Sequence, residues 1–269
     1  MMNSTERKIV DLLKELKEDY GMIGVKTEFE AEAAMMDELC RLKDVTSKAD
    51  LGISLKIGGC EAATGIKTGK VLGVARIVAP MIESAFALKK FVRCVQKHYA
   101  PDEFEDVELG INVETITGYS QFDEMLESPE YQSLASVVFA RGDMVGSMGQ
   151  THEYMESDEL CVMADSLFKR SKAKYPEIEC VLGGVPSPRS FAFMRKIDPA
   201  VLDAYEGRKM IFGVSCGFGG KAVEGFAKGL QFEILWCENK MNYFDRLLKE
   251  DSGKLKSLKD TLEYTNSLM

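Results

Sequence analysis

Eight short apolar runs recur along this chain, and they constrain its fold more than any other feature. They are Met22–Phe29, Leu51–Ile57, Ala75–Ile82, Val107–Val113, Ala135–Ala140, Ile178–Leu182, Lys209–Val214 and Leu230–Trp236. Each has the length of a strand and is too continuous to be half exposed, which is the pattern of parallel strands covered on both faces. Amphipathic stretches lie between them, at 30–44, 60–70, 84–98, 119–128, 157–174, 187–196 and 221–228. A last helical stretch at 239–249 resumes at 254–266 after Ser252-Gly253. Eight strands, each followed by a helix, give the count of an α/β fold of the (β/α)8 TIM-barrel type. The barrel is expected over about 22–236, within one domain spanning 1–269 and ending in a helical tail at 239–269. A leading helix with Ile9, Leu12, Leu13 and Leu16 on one face is an extra element. A doubly wound open sheet would call for a Gly-rich GxGxxG turn after the first strand, and none is present.

The net charge of −9 argues against a nucleic-acid or membrane-surface binder, since either needs a basic field. An anionic small molecule held by a few local cations remains compatible with it. No window has the length and apolarity of a membrane span. The first residues lack the basic-then-apolar order of a secretory leader. The seven cysteines form no CxxC pair and are odd in number, so reduced thiols and a cytoplasmic location are expected. With two histidines, His98 and His152, a three-histidine zinc site is excluded by counting. The fifteen methionines are read as core filler.

Active residues of such barrels gather at the C-terminal ends of the strands. Here those ends supply Lys26 and Glu28 in "GVKTEFEAE", Lys56 and Glu61 in "LKIGGCEA", and Glu83 in "VAPMIES". They go on to Glu114 in "INVETITG", Arg141 and Asp143 in "ARGDMVGSMG", and Ser187 and Arg189 in "GGVPSPRS". Carboxylates crowded on one face repel one another unless a cation sits between them. Magnesium or manganese takes oxygen ligands and keeps several waters, so two carboxylates suffice, and Glu114 and Asp143 on adjacent strands are the candidate pair. Lys26, Lys56 and Arg141 are placed to neutralise an anionic ligand. The "GGVPSPRS" turn offers an anion cradle, with Ser187 as N-cap.

Each element also has a structural reading. Glu114 alone suits a helix cap equally well, and Asp143 a turn residue. It is the pair on neighbouring strands that favours the metal. Bridges to Glu28 or Glu61 would account for the lysines, and Gly-Pro-Ser clusters mostly mark ordinary loops.

In order and spacing, "GVKTEFEAE", "LKIGGCEA", "RIVAPMIES", "INVETITG" and "GDMVGSMG" resemble the HpcH/HpaI aldolase/citrate lyase family of pyruvate- or phosphoenolpyruvate-binding barrels. The resemblance spans about residues 22–236. It implies a divalent-metal-dependent carbon–carbon lyase or aldolase acting on a small 2-oxo acid, with Glu114 and Asp143 as ligands to magnesium or manganese. It also implies a trimeric or hexameric homo-oligomer. Two positions depart from the family pattern. Where heptanedioate-type aldolases carry a Glu-His pair at the end of strand one, this chain has Glu28 and Phe29. The strand-two arginine is replaced by Lys56. The catalytic set is then Glu28, Lys56 and Arg141, with Glu28 the first candidate for the missing base ahead of Glu61 and Glu83. Lys26, Glu61, Glu83, Ser187 and Arg189 are expected to line the substrate. Two other readings stay open: an acyl-CoA lyase of the citramalyl/malyl-CoA type, and a non-catalytic ligand-binding barrel in polysaccharide biosynthesis.

Overall fold

A computed structural model of the protein describes residues 2–184 and 187–268. Eight strands close into a barrel in sequence order. The chain opens with α1 (Ser4–Tyr20), β1 (Met22–Glu28), α2 (Met36–Lys48), β2 (Gly52–Lys56), α3 (Ala63–Leu72) and β3 (Arg76–Ala79). It continues through α4 (Ala85–His98), α5 (Pro101–Asp106), β4 (Glu108–Val113), α6 (Ile116–Ser120), α7 (Phe122–Glu127) and β5 (Ser136–Ala140). The remainder is α8 (Arg141–Ser147), α9 (Asp158–Lys174), β6 (Glu179–Gly183), α10 (Pro188–Met194), β7 (Ala204–Glu206), β8 (Met210–Gly213) and α11 (Gly220–Ser267). Among the described residues, no helix is long and apolar enough to cross a membrane.

Strands β1 to β7 pair in parallel, as the continuous apolar runs require. The eighth departs from the expected plan. Strand β8 runs antiparallel to both β7 and β1, so β7 and β8 form a hairpin with no helix between them. The Lys209–Val214 run is therefore the eighth strand and not the seventh. The true seventh, Ala204–Glu206, has three residues, too few to show periodicity. Leu230–Trp236, expected as a strand, lies within α11. Its apolar residues divide between two helix faces. Phe232 and Trp236 are buried against the barrel, while Leu230 and Ile234 face solvent. A short run apolar on both faces cannot be told from a buried strand by periodicity. Nor does Ser252-Gly253 break the tail, because α11 is continuous over 48 residues, about 72 Å at 1.5 Å per residue.

Helix α1 starts on a capping box between Asn3 and Glu6 and packs along α11. The approach is close at Gly225, where an added Cβ would stand 2.7 Å from Tyr20 Cβ. The strand register sorts side chains into two layers. Odd-numbered residues such as Ile53, Ile77, Leu109, Ile111, Val137 and Phe139 join the large core beneath the helices. The alternate set points inward, with Asn112 beside Val138, Val138 beside Val181, and Val181 beside Ala204. A small apolar cluster of Val138, Ala140, Val181, Ala204 and Ile211 forms part of this inner layer. The rest of it is polar. At the base, Arg76 bridges Glu108 at 2.6 Å and Glu179 at 2.5 Å. The mouth at the other end carries the residues described next.

Candidate active site

Glu114 directly follows β4 and is 1% exposed. One carboxylate oxygen accepts the Met81 backbone N–H at 2.8 Å, and the other accepts the Asn112 side-chain amide at 3.0 Å. Burial pushes its pKa up; those two hydrogen bonds and the charge of Lys56 pull against that, while the charge of Asp143 adds to it. Asp143 sits in the first turn of α8 and is exposed. The two carboxylates therefore act on each other across the mouth. The Oδ1 of Asn112, beside Glu114, is a buried acceptor without a partner among the described residues.

Lys56 ends β2 opposite Glu28, its register partner on β1. Its ammonium lies 3.1 Å from Glu28 and 2.5 Å from Glu30, and it is 7% exposed. Burial lowers its pKa, but Glu30, Glu28 and Glu114 more than compensate, so the net shift is upward and the lysine stays charged. Lys26, one turn of the pleat below Glu28, pairs with Glu206 of β7 at 2.5 Å. Lys209, in the β7–β8 turn, pairs with Glu32 at 2.5 Å.

The other expected site residues take different positions. Arg141 is buried, and its guanidinium donates to the Gly183 and Met155 carbonyls, to Glu156 and to the Ser190 hydroxyl, with Phe193 stacked 4.8 Å away. Two of its donors go to Gly183 of β6 and Ser190 of α10 and two to Met155 and Glu156 between α8 and α9, an arrangement that ties those two segments together. Glu61 is exposed and pairs with Lys90 of α4 at 2.8 Å. Glu83 accepts the Thr115 hydroxyl at 2.5 Å, tying the turn after β3 to the turn after β4. Ser187 caps α10 as expected. Arg189 is exposed and forms no ion pair among the described residues. Val185 and Pro186 of the proposed cradle lie outside the described residues. The structure thus brings Lys26, Glu28, Lys56 and Glu114 to the mouth, with Asp143 at its rim.

Sequence reasoning missed Glu30, Glu32, Asn112, Glu206 and Lys209. Two signals were available. Glu28, Glu30 and Glu32 recur at every second residue beyond a strand, and Asn112 interrupts the apolar run of β4.

No three His, Cys, Asp or Glu among the described residues gather as a metal cluster. What the mouth offers is the deeply buried Glu114 carboxylate, acted on by the charge of Asp143, beside an unsatisfied amide oxygen. All are hard oxygen donors, which fits magnesium or manganese retaining most of its water and does not fit a thiolate- or imidazole-seeking metal.

No protein-family profile and no curated protein sequence matches the chain. Solved structures do. An HpcH/HpaI aldolase from Desulfitobacterium hafniense DCB-2 superposes with a TM-score of 0.58 at 13% identity, covering 86% of this chain and 89% of that one. The citrate synthase SbnG gives 0.59 at 11%, covering 87% and 90%. An HpcH/HpaI aldolase/citrate lyase family protein from Burkholderia cenocepacia J2315 gives 0.54 at 11%, covering 71% and 90%. At these identities the likeness establishes the fold. This chain has the barrel seen in structures of the HpcH/HpaI aldolase/citrate lyase type, which accords with the motif resemblance.

Proposed function

We propose that the protein is a divalent-metal-dependent carbon–carbon lyase or aldolase acting on a small 2-oxo acid. The observation that carries this reading is the buried carboxylate of Glu114, raised to the rim by β4 and facing Asp143 on one side and Lys56 on the other. A carboxylate is costly to bury without a cation. The named acids of the mouth outnumber its lysines, so an anionic substrate also needs added positive charge there. Glu114 and Asp143 would hold magnesium or manganese. Bound there, the ion supplies Lewis-acid polarisation of a substrate carbonyl.

The chain's own groups do the rest. Lys56, held charged between Glu28 and Glu30, stabilises negative charge developing on the substrate's carbonyl oxygen. Glu28, 3.1 Å from the Lys56 ammonium, accepts the proton leaving the hydroxyl of the departing half. The Phe29 ring packs against the core, so no imidazole competes for that role. Arg141 ties β6 and α10 to the segment between α8 and α9, and Arg189, exposed and without an ion pair among the described residues, offers a cation at the start of α10. The solvent-facing stripe of α11, with Met241, Leu248, Leu255, Leu258 and Leu262 exposed, suits a homo-oligomeric contact.

The test is pyruvate release from a panel of 2-oxo acid aldols in the presence of magnesium. Turnover that disappears in both Glu114→Gln and Asp143→Asn supports the reading, and turnover retained in both refutes it. One specific feature favours a non-catalytic barrel, namely that all three inward lysines already have carboxylate partners. Binding of the panel without any turnover would select that reading.

A further inference from the structure

The segment joining β1 to α2 is fastened in an unusual way. Its ends are anchored: Phe29 N–H donates to the Lys56 carbonyl at 3.0 Å, and Ala34 N–H to the Glu28 carbonyl at 3.4 Å. Between them, residues 30–33 have no regular structure and make no backbone hydrogen bond among the described residues. Ala33 takes a left-handed backbone, with φ of 47°, which is unfavourable for a residue with a side chain. What holds residues 30–33 is two ion pairs, Glu30 to Lys56 and Glu32 to Lys209, each 2.5 Å.

The lysines tell the other half. Lys56 and Lys209 are 7% and 6% exposed, and both stand at the barrel mouth. An ammonium so buried needs a counter-ion. Lys26 receives one from a strand, Glu206. Among the described residues Lys209 receives its ion-pair partner, and Lys56 its closest one, from a segment with little else to keep it there, while Glu233 of α11 accepts the Lys209 backbone N–H at 2.9 Å. The mouth is therefore a pair of buried cations occupied by two carboxylates that the fold can release. Glu114 directly follows β4, and Asp143 lies in the first turn of α8, after β5.

We propose that Glu30 and Glu32 stand in for carboxylates of the substrate, so that this mouth takes a di-anionic ligand whose second carboxylate displaces Glu32 from Lys209. Placing the ligand's 2-oxo end at Glu114 and Asp143 rests on the function proposed above; the displacement itself does not. When no ligand is present, Glu30 and Glu32 pair with the two lysines.

Succinate is a suitable probe, with acetate at equal ionic strength as control and no metal added. Hydrogen exchange of residues 29–35 and calorimetric binding are the readouts, and neither needs turnover. Succinate should speed exchange across 30–33 in the wild-type protein, and acetate should not. Glu30→Gln/Glu32→Gln should bind succinate about tenfold more tightly or better, because the internal competitor is gone. Lys209→Met should lose succinate binding. The single variant Glu32→Gln should show an intermediate gain and guards against misfolding of the double one. Equal succinate affinity in wild-type and Glu32→Gln protein, or unchanged exchange at saturation, overturns the proposal. Absence of pyruvate release with these binding results intact would count against the lyase reading alone.

Discussion

Replacing Glu114 by glutamine removes a buried charge while keeping the shape of the side chain. The structure sets the size of the effect. The amide oxygen can still accept the Met81 N–H, and the new amide hydrogens face Asn112, whose Oδ1 has no partner and can turn to accept. The substitution therefore exchanges an unsatisfied acceptor of Asn112 for an unsatisfied donor, and it removes a buried charge and its repulsion from Asp143, at the loss of the attraction to Lys56. Without metal, the variant should be more stable than the wild type by on the order of 1–2 kcal/mol at neutral pH. For a chain of this size that raises Tm by about 2–6 °C. The pH dependence has a definite sign. The Glu114 carboxyl binds its proton more tightly folded than unfolded, so its stabilising contribution is present at low pH and fades as pH rises through the raised folded value. The two proteins should converge in stability as pH falls toward the ordinary range of a glutamate carboxyl. Magnesium reverses the order. At a hundredfold excess over its Kd it adds about 2.7 kcal/mol to the wild type and nothing to the variant. Differential scanning fluorimetry with chelator, and then with magnesium, measures all of this. A variant that is less stable than wild type in chelator, or equally stabilised by magnesium, refutes the reasoning.

Asp143→Asn should abolish magnesium stabilisation while changing metal-free Tm little, because Asp143 is exposed; a thermal melt with and without magnesium checks it. Lys56→Met should leave Glu30 unpaired and lower kcat by at least about 100-fold, as expected for a lost charge at a developing oxyanion, in the pyruvate-release assay. Arg141→Met should destabilise the fold by about 3–5 kcal/mol, read by urea unfolding, since it strips the buried guanidinium from the Glu156 carboxylate and from two backbone carbonyls. Leu255→Glu/Leu258→Glu should shift the protein toward monomer in light scattering without altering the melt of the barrel.

Much of this architecture is written in local pattern. Strands β1 to β6 are legible because a parallel strand covered on both faces is largely apolar, and six runs keep that pattern despite polar residues such as Lys26, Arg76 and Asn112. The β7–β8 hairpin is not legible, because a three-residue strand has no measurable period and Glu206 breaks its apolarity. Its consequence reaches the site, since the hairpin turn is what delivers Lys209 to the mouth. Glu114 could be located because it ends a strand. Lys209 could not, because its place depends on β8 reversing direction. Arg141 shows a further limit. A charged residue at a strand end reads as functional, and the sequence pattern does not reveal its burial or its hydrogen bonds to Gly183, Ser190, Met155 and Glu156. The Glu30 and Glu32 pairings were hidden for a related reason: their partners are distant in sequence, at Lys56 and Lys209.

The central claim is that Glu114 and Asp143 share one divalent ion. A crystal soaked with manganese and oxalate, measured for anomalous scattering, tests it most directly. The account predicts an anomalous peak ligated by both carboxylates, with oxalate completing the coordination on the Lys56 side. A peak elsewhere, or none while Glu114 keeps only its Met81 and Asn112 hydrogen bonds, would contradict it.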